Sequence, residues 1–314
     1  MRLRFVLVMI VLVALPVAGI SGQNTPWGDP DLQGIWSNRT ITRLERPQEL
    51  ADKEFFTDEE AVEYVRDTLE RTNRDRRDGP AETDVRRAYN DFWWDSGTTL
   101  VKTLRTSIII DPPDGRIPPL TEEAETLAAE RAEQRRLHPA DGPESRSLGD
   151  RCIWWRSTGP PILPTAYNNN YQIVQSPGYV AILAELMHAV RIIPLDDSPH
   201  LPEATLQLMG DSRGHWEGDT LVVETTNFTD RTNFRNSGAG LRVIERFRRD
   251  DPDTLMYEFT IDDEATFTRS WTGQIPMVKS DGLIYEYACH EGNYAMTNLL
   301  EAARAEEARA AGDQ

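Results

Sequence analysis

The 314-residue chain is poor in the residues that most reactive chemistry draws on, with two cysteines and five histidines. No CxxC pair or cysteine-rich knuckle is present, which excludes a thiol redox pair and a cysteine zinc knuckle. No HExxH helix occurs and no two histidines stand at a tight metal-binding spacing. No cofactor is therefore expected; a metal is the minor alternative, since zinc or iron needs about three converging ligands. No GxGxxG or Walker loop opens a helix after a strand, so nucleotide chemistry has no motif to rest on. Basic residues are also short. The 34 Lys and Arg face 52 Asp and Glu, for a formal charge of −18. Such a surface repels phosphate backbones, and no nucleic-acid partner is expected.

Long apolar runs are missing beyond the first residues, where one is present. Arg2 and Arg4 precede an apolar stretch from Phe5 to Leu15, followed by Pro16 and small residues to Gly22. That order is the n-region, h-region and cleavage zone of a secretory signal peptide, and the apolar core is shorter than the ~20 residues of a membrane span. Residues 1–22 are read as a signal peptide, which places the mature chain in the periplasm or outside the cell with no membrane span after cleavage. Export changes the reading of the cysteines: in an oxidising compartment Cys152 and Cys289 are expected to pair, tying a mid-chain loop to a C-terminal strand.

The pattern changes character near residue 165. Residues 23–164 are loop-rich with helical inserts, and residues 165–314 are strand-rich and end in a helix; the two are expected to form one structural domain. Thr57 with Glu60 makes a capping box for a helix carrying Ala61, Val62, Val65 and Leu69 at helical spacing, and a second helix begins at Thr121. Arg105–Ile110 is a short β-branched run that ends in turn residues. Eight strands are predicted over 171–175, 179–187, 188–195, 219–228, 241–248, 254–261, 267–274 and 283–289, separated by turns such as Ser176-Pro177-Gly178 and without intervening helices. The fold class expected is mainly β: an antiparallel meander forming a barrel or strongly curved sheet, calycin-like, with N-terminal loop and helix inserts and a C-terminal helix.

Strand alternation then asks which ionisable side chains share the apolar face. Glu245 lies with Leu241, Val243 and Phe247. The same count places Glu185 with Tyr179, Ala181, Leu183 and Met187, His188 with Val190 and Ile192, and Glu224 with Val222 and Thr226. A carboxylate inside a barrel must be paired, hydrogen-bonded or protonated, and Arg191 is the expected partner of Glu185 or Glu224. His188, His215 and His290 fall at strand ends or turns, where they can converge on one barrel mouth. With Glu185 and Glu224 they form the candidate catalytic set for a general acid–base hydrolase, lyase or isomerase. Arg191, Asn169, Asn170, Tyr171 and Trp216 are the candidate ligand-binding residues, because aromatic walls with amide donors suit oxygenated, partly apolar small molecules. Three functions follow as expectations: an exported enzyme acting on a small molecule, a binding protein that holds one unchanged, or a scaffold or envelope protein with no cavity. Convergent histidines favour the first, and an apolar cavity with few ionisable groups the second.

The segments PWGDPDLQGIW, YNNNYQIVQSPGYV, MGDSRGHWEGDTLVVETTNF, LRVIERF and YEYACHEGNY together carry a resemblance. The chain resembles a large group of exported bacterial proteins that share the WEGDTLVVET segment. That resemblance implies a bacterial source and a periplasmic or secreted location, and it supplies no catalytic assignment. It also implies that Glu185, Arg191, Trp216, Glu224 and Glu291 belong to the shared framework, while His188, His215 and His290 distinguish this branch. Gly34, Ile35 and Trp36 further resemble the first strand of lipocalins.

Overall fold

Alternating apolar residues in short strands can be buried only by curling the sheet on itself, and that is the arrangement found. The computed structural model describes residues 24–86, 90–155, 157–232 and 234–312, so the signal-peptide expectation lies outside the described residues. Ten strands form one antiparallel sheet: β1 (Gly34–Ser37), β2 (Ile109–Asp111), β3 (Asn170–Ser176), β4 (Tyr179–Ala184), β5 (Val190–Pro194), β6 (Asp211–Glu217), β7 (Thr220–Thr226), β8 (Arg242–Asp251), β9 (Thr254–Asp262) and β10 (Trp271–Lys279). Their order is β5-β4-β3-β1-β10-β9-β8-β7-β6, with β2 added beside β10. The two end strands, β5 and β6, lie side by side without a hydrogen-bonded ladder, so the barrel is nearly closed. Gly214 permits that approach, because a Cβ there would stand 2.7 Å from Leu195 and 2.9 Å from Ile193.

Among the described residues four α-helices decorate the barrel: α1 (Asp58–Thr72), α2 (Ala81–Arg86), α3 (Glu122–Leu137) and α4 (Tyr294–Gly312). α1 starts on the expected capping box, with Glu60 N donating to Thr57 Oγ1 and Thr57 N donating to Glu60 Oε2. Thr121 caps α3 in the same way through Ala124 N. No helix among the described residues is long and apolar enough to cross a membrane. The expected disulfide is present: Cys152 is bonded to Cys289.

Two strand expectations are corrected. Residues 283–289 form no strand; they run as an irregular strap in which Tyr287 N donates to His188 Nε2 and Cys289 is held by the disulfide. The strand that the sequence hides is β6, DSRGHWE, whose inward positions Ser212, Gly214 and Trp216 include only one large apolar side chain. The last strand also starts later than its apolar pattern implied, at Trp271.

Register decides which side chains face the core. β8 points Val243, Glu245 and Phe247 inwards, as its alternation predicts. In β4, β5 and β7 the inward residues are Val180, Ile182 and Ala184, then Arg191 and Ile193, then Leu221, Val223 and Thr225. Glu224 and His188 therefore do not point into the barrel, which corrects the sequence assignment. The outer face of these strands is itself apolar, with Val190 and Ile192 51 % and 64 % exposed, so polarity alternation could not tell the two sides apart.

Candidate functional site

The barrel interior is filled rather than hollow. Phe247, Tyr257, Phe259 and Trp271 follow one another in ring contact at 4.9, 5.7 and 5.8 Å. Gly273 makes room for this stack, since a Cβ there would stand 2.4 Å from the Phe259 ring. Into this apolar column Arg191 reaches from β5 to Glu245 on β8, with Nη1 to Oε2 at 2.5 Å and Nη2 to Oε1 at 3.0 Å. Both side chains are essentially fully buried. Burial disfavours the guanidinium's charge, but the fork on Glu245 outweighs that and raises the Arg191 pKa above its ordinary value. Arg191 thus pairs with Glu245, not with Glu185 or Glu224 as the sequence led us to expect.

Two buried tyrosines connect this charge pair to the segment that stoppers the barrel. Tyr257 Oη donates to Glu245 Oε1 and accepts from Ile162 N, both at 2.8 Å. Tyr171 Oη donates to the Ser157 carbonyl at 2.8 Å. Burial pushes both phenols well above their ordinary pKa. Residues 157–163 therefore form a plug, with Ile162 1 % exposed, hung on hydroxyls that rise from the barrel floor.

Over that plug lies a cleft of about 970 Å³, within the range of small-molecule sites. The plug contributes Ser157, Leu163, Pro164 and Thr165. Trp154 and Trp155 form one wall, and Phe234 and Phe267 form another by packing on Trp271, Phe234 stacked at 6.3 Å and Phe267 edge-on at 6.0 Å. Ile117, Pro118, Pro119 and Leu120 complete the apolar lining. Trp154 Nε1 and Ser157 Oγ have no protein hydrogen-bond partner although their residues are only 4 % and 6 % exposed. Leaving a buried donor unpaired costs about 1–3 kcal/mol, and both atoms lie beneath the cleft surface, closed to solvent. Among the described residues of the lining, Arg135, Arg231 and Arg235 are the ionisable ones and none is Asp or Glu.

No family model, no curated protein and no solved structure matches this chain. Function has to be read from the side chains themselves.

The candidate catalytic residues fall in three places. Glu185 and His188 meet under the strap: Asn170 Nδ2 donates to Glu185 Oε2 at 2.8 Å, Tyr285 N approaches Oε1 at 3.5 Å, and His188 Nε2 accepts from Tyr287 N at 3.0 Å. Beside them Tyr167 stacks on Tyr287, and burial together with the Tyr167 hydrogen bond raises the Tyr287 phenol to about 12. Glu224 and His215 lie on the outer face of the β6–β7 hairpin. Arg242 donates to Glu224 Oε2 at 2.6 Å and holds that carboxyl below its usual range, while His215 sits 3.3 Å from Glu217. His290 is exposed next to Cys289. Among the described residues no group of three His, Cys, Asp or Glu side chains is placed to hold a metal ion.

The candidate ligand-binding residues are occupied by the fold. Asn169 is fully buried and spends its amide on Asp95 O, Thr165 O and Thr165 N. Asn170 serves Glu185, Tyr171 holds the plug and Arg191 is paired inside the barrel. Trp216 faces inwards against the core. The cleft residues Trp154, Ser157, Phe234 and Phe267 were not selected from the sequence. Their signal was faint: the Trp154-Trp155 pair marks an aromatic loop, but nothing local says that Phe234 and Phe267, 33 positions apart, share a wall.

Proposed function

We propose that this chain is an exported, calycin-like binding protein that holds a small molecule in the cleft over the plug without converting it. The observation carrying this reading is the cleft of about 970 Å³ walled by Trp154, Trp155, Phe234 and Phe267, with none of the candidate acids and bases among its described lining residues. A ligand with an apolar body suits such walls, offering surface to the rings. The disulfide fits an oxidising compartment, in agreement with a signal peptide at the N-terminus. Acid–base catalysis by His188, His215, His290, Glu185 and Glu224 is the weaker reading, because these groups lie in three separate places and general acid–base work needs acid and base within reach of one substrate.

Incubating the mature protein with environmental extracts and weighing both bound and released compounds separates the two. Binding predicts a retained compound of unchanged mass that is lost in a Trp154→Phe, Ser157→Ala variant. A product that forms with the wild type and disappears with His188→Ala would restore the enzyme reading.

A further inference from the structure

We infer that the ligand of this cleft is an organic anion: a flat, apolar body bearing one carboxylate or sulfonate-type oxyanion, with the acid group turned to Arg135 and Arg231. The inference rests on the cleft being the ligand site and adds the charge of what enters it. The chain carries 52 acidic residues against 34 basic ones, yet the described residues lining the cleft include three arginines and no carboxylate. Arg235 lies on the 3-10 turn Phe234–Asn236, Arg231 shortly before it in sequence and Arg135 in the last turn of α3, so separate segments bring the same sign of charge to one opening. Among the described residues neither Arg135 nor Arg231 has an ion-pair partner. Asp230, next in sequence, accepts from Ala239 N.

A cleft that offers arginines at its rim and no carboxylate among its described lining residues is built for acceptor oxygens. The overall negative charge does not cancel this. At physiological salt the Debye length is about 8 Å, so carboxylates elsewhere on the surface are screened while rim arginines act on a ligand in contact.

The test uses probes that share one ring system and differ in charge: 2-naphthoate, 2-naphthalenesulfonate, neutral 2-naphthamide and cationic 2-naphthylmethylammonium. Binding is followed by calorimetry and by tryptophan emission. The two anions should bind at least about tenfold more tightly than the amide, and the cation weakest; an Arg135→Gln, Arg231→Gln double variant should remove that preference while leaving the amide's affinity unchanged. Both arginines are exposed, so the variant should fold as the wild type does. Equal binding of anion and amide, both weakened by Trp154→Phe, would overturn the anion assignment and leave the cleft as the site. If no probe binds, or binding ignores both sets of substitutions, the anion assignment and the cleft reading fall together.

Discussion

The Arg191–Glu245 pair decides whether the barrel interior is a dry core or a wet cavity, and substitution measures it. Arg191→Met leaves Glu245 fully buried with only the Tyr257 hydroxyl as partner, and Glu245→Gln leaves Arg191 facing a neutral amide. Removing one partner of a buried ion pair costs about 3–5 kcal/mol, a large share of a total stability of order 5–15 kcal/mol. The double variant Arg191→Met, Glu245→Gln removes both charges and keeps an acceptor for Tyr257, so it should lie within about 2 kcal/mol of the wild type. The expected coupling is therefore at least about 4 kcal/mol in favour of the double variant. Arg191→Lys keeps the charge but loses the two-pronged fork, and should fall between wild type and Arg191→Met.

Urea unfolding followed by circular dichroism gives all four stabilities. Singles that each cost less than about 1 kcal/mol, or that add without coupling, would mean that water reaches both charges and that the interior is a solvated cavity. That outcome would also move the ligand site from the cleft to the barrel and refute the plug as a stopper.

Three further outcomes are expected. Reducing Cys152–Cys289, 137 residues apart, should lower stability by at most about 5 kcal/mol through the longer free chain, read as a shift in the urea midpoint; no shift would show that the strap is held without it. Glu224 has a depressed pKa in the folded chain, first through its Arg242 hydrogen bond, so its contribution is present above the ordinary value of 4.5 and lost as pH falls through the folded value. The stability gap between wild type and Glu224→Gln should accordingly be open at pH 7 and close below about pH 4.5; a gap that widens in acid refutes the pairing. For register, Ile192→Lys on the outer face should change stability by about 0.5 kcal/mol or less, while Ile193→Ala, fully buried one residue on, should cost about 2–5 kcal/mol, both by urea denaturation.

Most of the sheet could be read from the chain because its strands follow each other in hairpins, where local turns such as Pro177-Gly178 and Pro252-Asp253 fix the pairing. The disulfide was legible from compartment alone. The faces were not. β8 alternates Val243 and Phe247 with arginines, so inside and outside differ in polarity and Glu245 was placed correctly; β5 alternates Val190 and Ile192 with Arg191 and Ile193, and there the charged residue is the buried one. A buried arginine inverts the pattern, since its position is set by a carboxylate 54 residues away and by nothing nearby.

That pairing also explains why the site eluded a strand-by-strand reading. A β-barrel can serve as a container, and a container's ligand residues lie on its inward strand positions. Here the inward positions are taken by rings, an ion pair and the tyrosines that hold residues 157–163. The plug turns the barrel into a platform, and the walls of the cleft above it come from loops at 117–120, 147–165 and 231–236 and from α3, segments with no common period to reveal them. Loops on a rigid scaffold can change their side chains without disturbing the core. The Arg191–Glu245–Tyr257–Ile162 chain is what makes the scaffold rigid at the point where the cleft meets it, so loosening the ion pair should weaken ligand binding as well as stability, with no residue of the pair lining the cleft.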